Sequence, residues 1–510
     1  MKLSKNRGVS LIVLVITIIV IIILAGTVIL SMMQNNPITK ANEAVFKLDV
    51  ATYQDQLEMY HLNKISKEIG NYERSNLNKT GEGLKEVIPS IKESHIEKFE
   101  IKSGKLIYIG TEENEMEWAK NILTDPSDLP EVPGENTEYG VNVPALVQGM
   151  TPIKWNGSDW VDTTISDTAW YNYENKEWAN AKTADGSFWV WIPRYEYKIE
   201  NPHTSTAEEI KVNFIKNKSS KATLGYIMHP GFTFGDESLT GIWVAKFEAT
   251  AREGIANKTS GDNVITKNVK IEPGVQSWRF LTISNMFDVT RKMEVDATYG
   301  WGTSGNGIDT HLMKNIEWGA ITYLSNSKYG KNMEVWINPN TDKITGQAGD
   351  NANADMILNT YAYNTTNGIE ASTTGNITGV YDMSGGSVEY TAAYIGNSSE
   401  TLTKNGLSLI NSDVKYKDIY VVGENDVRQD NYEANKAKVG DAVYETSTNA
   451  TTSSSAWYGE YSIMPYLERE FFTRSGYNYN NSTAGLFNFG YNSGGTNGNI
   501  GFRVTLVVSN

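Results

Sequence analysis

From Val9 to Leu30 the chain carries no charged residue, and only Ser10, Thr17, Gly26 and Thr27 interrupt its aliphatics. A helix over these positions is about 33 Å long, enough to cross a hydrocarbon core of roughly 30 Å. Lys2, Lys5 and Arg7 stand in front of it. The pattern predicts a basic leader over residues 1–8 and a transmembrane helix over 9–30, with the leader cytoplasmic and the rest of the chain outside. Pro37 follows Asn35 and Asn36 and predicts a break or kink. Helical spacing then returns. Ile38, Ala41, Val45 and Leu48, then Tyr53, Leu57 and Tyr60, then Leu62, Ile65 and Ile69 trace a drifting apolar stripe opposite Lys40, Glu43, Lys47, Asp49, Asp55 and Glu58. This is a long helix that stops at Gly70.

The pattern changes after residue 70. Leu84–Ile88 reads as a short helical turn closed by Pro89. Ile96–Ile101 and Lys105–Ile109 flank Ser103-Gly104 as a hairpin, and Glu112–Leu123 reads as a closing helix. Residues 31–123 thus form a long helix with a small α+β head. Pro126, Pro130 and Pro133 among Asp125, Asp128, Glu131 and Glu135 then mark residues 124–140 as a stiff acidic linker. Beyond it, from 141 to 510, strands are short. Asn156-Gly157 between Trp155 and Trp160 signals a hairpin. Ser187–Pro193 and Gly241–Glu248 are the clearest strands, with Pro193 ending the first or placing it at an edge. Met313–Ser327 reads as a helix with Ile316, Ala320, Tyr323 and Leu324 on one side.

Composition narrows the chemistry. There is no cysteine, so no disulfide, thiolate metal site or cysteine nucleophile exists. With 45 Lys+Arg against 60 Asp+Glu the net charge is −15, which argues against nucleic acid as a partner. His61, His95, His203, His229 and His311 show no metal-ligand spacing. Gly300, Gly302, Gly305 and Gly307 lack the strand-to-helix frame of a phosphate loop. No pair of carboxylates stands out as an acid and base. The sequence points to no cofactor and leaves calcium open.

Gly8-Val9-Ser10-Leu11-Ile12, between the basic leader and the apolar run, resembles the type IV prepilin cleavage and methylation motif. The resemblance implies that a prepilin peptidase cuts after Gly8 and methylates Val9. The family usually carries Phe at the first mature position and Glu at the fifth. This chain has Val9 and Val13 there. The missing acid would neutralise a neighbouring subunit's amine in the membrane, so the chain resembles minor, tip-located pilins more than shaft subunits.

Three segments of the outer region fall in a telling order. They are Glu317-Trp318, then Asn376-Ile377-Thr378-Gly379-Val380-Tyr381-Asp382-Met383-Ser384-Gly385-Gly386-Ser387-Val388-Glu389-Tyr390, then Arg474-Ser475-Gly476 with a final Gly501-Phe502-Arg503. Together they resemble the formylglycine-generating-enzyme-like branch of the C-type lectin fold. Its marks are a helical Glu-Trp, N-x-x-G-[LV]-x-D-M-x-G-N-V-W-E-W, Arg-Gly-Gly and Gly-Phe-Arg. Gly386, Ser387, Val388 and Tyr390 depart from the second mark. The resemblance covers roughly residues 140–510 and is firmest from 312. It implies an α+β, C-type-lectin-like domain with irregular loops. It does not imply the family's oxidation chemistry, which needs cysteine. Asp382, Glu389 and Arg503 read as structural, Arg503 pairing with one of the two acids.

Between Arg474 and Gly501 the chain alternates aromatics with Asn and Ser. Tyr477, Asn478, Tyr479, Asn480, Tyr491 and Asn492 are the candidate ligand-binding residues, because such mixtures make contact surfaces. The same stretch also reads as a β-rich tail with its aromatics in the core. The expected protein is a membrane-anchored, pilin-like surface protein with an extracellular lectin-like domain, at a pilus tip or on the cell surface. Its expected partners are the membrane, a prepilin peptidase, other pilin-like subunits and a glycan or protein ligand for adhesion, not nucleic acid. A tethered glycan-active enzyme and a purely structural minor pilin are the alternatives.

Overall fold

The computed structural model describes residues 37–67, 76–123, 140–218, 222–254, 259, 262–301, 307–339, 342–348, 361–452, 454–476 and 483–508. The leader, the cleavage position Gly8–Val9, the apolar run, the linker as far as residue 139 and Tyr477–Asn480 lie outside them. Among the described residues no helix is long and apolar enough to cross a membrane. The chain is of mixed α+β class and divides into two compact units, Met1–Pro130 and Glu131–Asn510.

In the first unit, helix α1 (Pro37–Lys67) packs its own head. The head is strand β1 (Lys79–Thr80), two short 3-10 turns, the hairpin β2 (Phe99–Lys102) and β3 (Lys105–Tyr108), and helix α2 (Glu113–Leu123). Ser103 and Gly104, both with positive φ, close that hairpin in two residues, as the strand twist favours. Phe46, Val50, Tyr53, Leu57 and His61 are the buried face of α1. Val45 and Leu48, expected on that face, are 53% and 68% exposed. The aromatic rings set the phase: Phe46 and Tyr53 both pack on Phe99, at 6.2 and 5.8 Å between centroids. One residue is a rotation of about 100° on a helix, so burying Phe46 turns Val45 outward.

The second unit is built on two sheets. The first is antiparallel throughout. Its strands are β4 (Met150–Trp155), β5 (Trp160–Asp162), β6 (Asn180–Thr183), β7 (Phe188–Pro193), β8 (Gly241–Ala245), β9 (Ile308–Leu312) and β17 (Val504–Val508), in the order β9-β17-β8-β7-β6-β4-β5. Pro193 ends β7 opposite Gly241, inside the sheet and not at its edge. The second sheet holds β10 (Val388–Ile395), β11 (Asp418–Tyr420), β12 (Thr451–Thr452), β13 (Ser462–Ile463), β14 (Phe471–Ser475) and β15 (Gly485–Asn492), ordered β11-β10-β14-β15-β13-β12, with β16 (Ile500–Phe502) also paired to β10. Strands β16 and β17 are separated by Arg503 alone, so the chain crosses from one sheet to the other at that residue.

Helices α3 (Ile283–Lys292), α4 (Asn315–Ser325), α5 (Glu400–Asn411) and α6 (Arg428–Ala434) complete the unit. Helix α4 was expected to have one apolar side. It is buried on nearly all of them, and only Ile316 reaches the surface in part. Gly319 permits this: a Cβ there would lie 1.9 Å from the Gly440 carbonyl oxygen. Eight tryptophans, among them Trp178, Trp189, Trp243 and Trp318, are fully buried in the unit.

Candidate functional site

The residues singled out by the sequence meet at the crossing between the sheets. Arg503 donates from Nη2 to Glu389 Oε1 at 2.7 Å and from Nε to Glu389 Oε2 at 3.2 Å. Its remaining donors reach the carbonyls of Ala245 (2.8 Å) and Tyr381 (2.9 Å). Asp382 is not its direct partner. Its carboxylate accepts the Gly346 N–H at 2.8 and 3.0 Å and the Glu248 N–H at 3.4 Å. Glu248 is the third acid of this cluster, and its Oε1 accepts the Ser387 N–H at 3.1 Å.

All three acids are buried, and burial raises them, up to about 6 for Asp382 and about 7 for Glu389 against the pull of Arg503. Glu248 is raised well above the usual carboxylate range, by burial first and then by Glu389 and Asp382. Arg503 faces all three acids and Arg279 and Lys343 add to it only at Glu248, while burial dominates, so the cluster keeps protons that free carboxylates lose. Ser475 takes φ 74, the left-handed region that costs a side chain strain. Its hydroxyl donates to the Gly385 carbonyl at 2.7 Å and ties β14 to the turn before β10. None of these groups reaches solvent, and the cluster joins the two sheets.

Two further networks do the same work and were not evident from the sequence. His311 has Asp309 Oδ1 at 3.0 Å from Nδ1 and Glu317 Oε1 at 2.9 Å from Nε2. With a carboxylate on each nitrogen both must donate, so the ring is an imidazolium. Burial alone would push its pKa down, but Glu317 and Asp309 outweigh it and the pKa is raised. Glu317 stays down at about 2, burial notwithstanding, because His311 and Lys314 face it. Glu317 Oε2 also accepts the Lys314 N–H at 2.9 Å, capping α4. Lys246 is fully buried, and its three N–H groups meet three acceptors: Ile377 O (2.7 Å), Gly379 O (2.8 Å) and Asn180 Oδ1 (2.9 Å). It pins the turn before Asp382 against β6. The partners of Lys246 lie 66, 131 and 133 residues away, a separation that no sequence spacing announces.

The accessible chemistry lies at one end of β15. Tyr491 and Asn492 are there, half-buried. Asn492 Oδ1 accepts from the Tyr390 hydroxyl at 2.8 Å, an internal tie. The Tyr491 ring stands edge-to-face with Tyr466, centroids 5.2 Å apart. Arg428, at the start of α6, lies over both rings, 4.7 Å from Tyr466 and 4.9 Å from Tyr491, and donates to the Tyr491 hydroxyl at 3.0 Å. Exposed Arg469 lies 5.5 Å from the Tyr491 centroid. Gly485, the end of β15 nearest in sequence to Tyr477–Asn480, is six residues from Tyr491, a span of about 20 Å along a strand. Of the six candidate residues, Tyr491 and Asn492 are the two that lie among the described residues. Arg428, Tyr466 and Arg469 were missed because they come from other segments.

Among the described residues no group of three or more His, Asp or Glu could hold a metal ion. No family model matches the chain, and no curated protein matches it.

Proposed function

We propose that this chain is a pilin-like surface protein, rooted in the membrane by residues 9–30 and processed between Gly8 and Val9. Its outer unit, on a C-type-lectin-like frame, binds an extracellular glycan or protein in adhesion. One observation carries the binding part of this reading. The buried ionisable clusters around Arg503, His311 and Lys246 are spent on holding sheets and turns together. Among the described residues, a cluster of aromatic and cationic groups that reaches the surface gathers around Tyr466 and Tyr491. Half-exposed Tyr with Arg is the composition of contact hot spots. The order of Glu317-Trp318, Asp382-Met383 and Gly501-Phe502-Arg503 in the sequence supports the frame, and the basic leader with Gly8 supports the anchor.

The test uses cells that display the full chain and carry an active prepilin peptidase. Mass spectrometry of their membrane fraction is expected to find a chain beginning at N-methylated Val9. The same cells are expected to adhere to glycan- or protein-coated surfaces where cells without the chain do not. An intact Met1 defeats the pilin reading, and equal adhesion by both cell types defeats the adhesin reading.

A further inference from the structure

We propose that Arg428, Arg469, Tyr466 and Tyr491 form a binding site for an anionic polysaccharide, one bearing carboxylate or sulfate groups. This rests on the adhesion reading above and names the ligand class and the site. Two guanidiniums sit within 5.5 Å of one phenol ring, and neither has a carboxylate partner among the described residues. The chain has an excess of acids, at 60 Asp+Glu to 45 Lys+Arg, so unpaired neighbouring arginines are not the product of scarcity. Other described arginines are engaged: Arg252 with Asp185, Arg291 with Asp309 and Glu294, Arg503 with Glu389, and Arg474 with backbone carbonyls.

Glu468, next to Arg469 in the chain, is exposed and makes no ion pair with it, and other nearby acids have partners of their own. Asp426 accepts from Asn397 and Asn431, and Asp430 from Asn425. Glu433 accepts from Gln429, and Glu470 from the Glu468 N–H. Two like charges over one ring repel each other, and an anion set between them relieves that cost. Arg428 sits beside two phenols, and its Nη2 alone is used, for the Tyr491 hydroxyl at 3.0 Å and the Tyr466 hydroxyl at 3.4 Å. Its other donors keep the fork that suits a carboxylate or sulfate. The half-exposed rings, with Leu467 and Val427 exposed beside them in the chain, offer an apolar surface for a sugar ring.

The experiment takes the full chain purified in detergent. Retention is measured on beads carrying heparin or polygalacturonate, neutral dextran, or poly-glutamate. Retention on the two anionic polysaccharides is expected at about 0.05 M NaCl and lost near about 0.5 M, as screening requires, with none on dextran. Arg428→Gln with Arg469→Gln is expected to lower it at least about tenfold with an unchanged melting temperature, the loss of two charge-assisted contacts. Should that pair unfold the domain, Arg469→Gln alone, at an exposed position, is expected to lower retention several-fold and leave melting unchanged. Undiminished retention by the arginine variants overturns the site and leaves the adhesion reading standing. Equal retention on poly-glutamate overturns the saccharide assignment in favour of an acidic protein. Adhesion by displaying cells is scored separately, so its absence defeats the earlier reading whatever the beads report.

Discussion

Arg503 replaced by methionine keeps much of the side-chain volume but strands Glu389, which has no other ion-pair partner among the described residues. Two carbonyls, Ala245 O and Tyr381 O, lose donors as well. Breaking one side of a buried pair costs about 3–5 kcal/mol, and thermal unfolding of the second unit is expected to fall accordingly. Arg503→Lys keeps a charge but not the fork and is expected to recover only part of the loss. A melting temperature equal to that of the parent in Arg503→Met would show that the cluster contributes no net stability. The sequence pointed to Arg503 as one half of a pair and left Asp382 and Glu389 as its choices. The choice was not legible, because it depends on register: Glu389 lies beside Gly501 across β10 and β16, whereas Asp382 turns to the Gly346 amide. Glu248 escaped notice for the same reason, since its partners are 134 and 139 residues away.

Elements were legible where their signals are local. The hairpin at Ser103-Gly104, strands β7 and β8 and helix α4 follow from turn chemistry, β-branched and aromatic runs and helical spacing over a few residues. Phase was harder. On α1 both Val45-Leu48 and Phe46-Val50-Tyr53-Leu57 satisfy a helical period, and the larger rings take the core. Substitutions test this. Phe46→Ala removes a buried ring packed on Phe99, Tyr108 and Trp118 and is expected to cost about 3–5 kcal/mol in the first unit. Val45→Ser with Leu48→Ser is expected to stay within about 0.5 kcal/mol per site, as at other exposed positions. Chemical denaturation of the full chain, followed by hydrogen exchange in residues 76–123, separates the two. A larger loss from the Val45 and Leu48 pair would place the core on the other face.

At the scale of the whole second unit, proton uptake sets the pH dependence of stability. Glu248, Asp382, Glu389, Glu445 and Glu460 all have raised values from burial, about 6 for Asp382 and about 7 for Glu389 and Glu445. A raised acid binds its proton in the folded chain after the unfolded chain has released it. Its contribution is complete below the unfolded value, near 4.5 for Glu, and is lost as pH climbs through the folded value. His311, also raised, follows the same sign from 6.5 upward. His229 opposes them: burial lowers it to about 3, so its contribution grows between that value and 6.5. Glu317, held at about 2, adds stability that is present above 4.5 and is lost as pH falls from there toward 2. Between about 4.5 and 7 the five raised acids outweigh His229, and buried Lys246, lowered by burial, opposes them only at higher pH, so the second unit is expected to be most stable in mildly acidic solution and to weaken from there through pH 7. Glu248 is the sharpest place to test this, because its hydrogen bonds to the Ser387 amide and Ser277 involve no cation. Glu248→Gln has nearly the same shape and no proton to lose. Its unfolding free energy is expected to match the parent near pH 5 and exceed it at pH 8, by about 1.4 kcal/mol for each pKa unit of the shift removed. A variant less stable than the parent at both values would mean that Glu248 is ionised in the fold and that Arg503 serves it as well as Glu389.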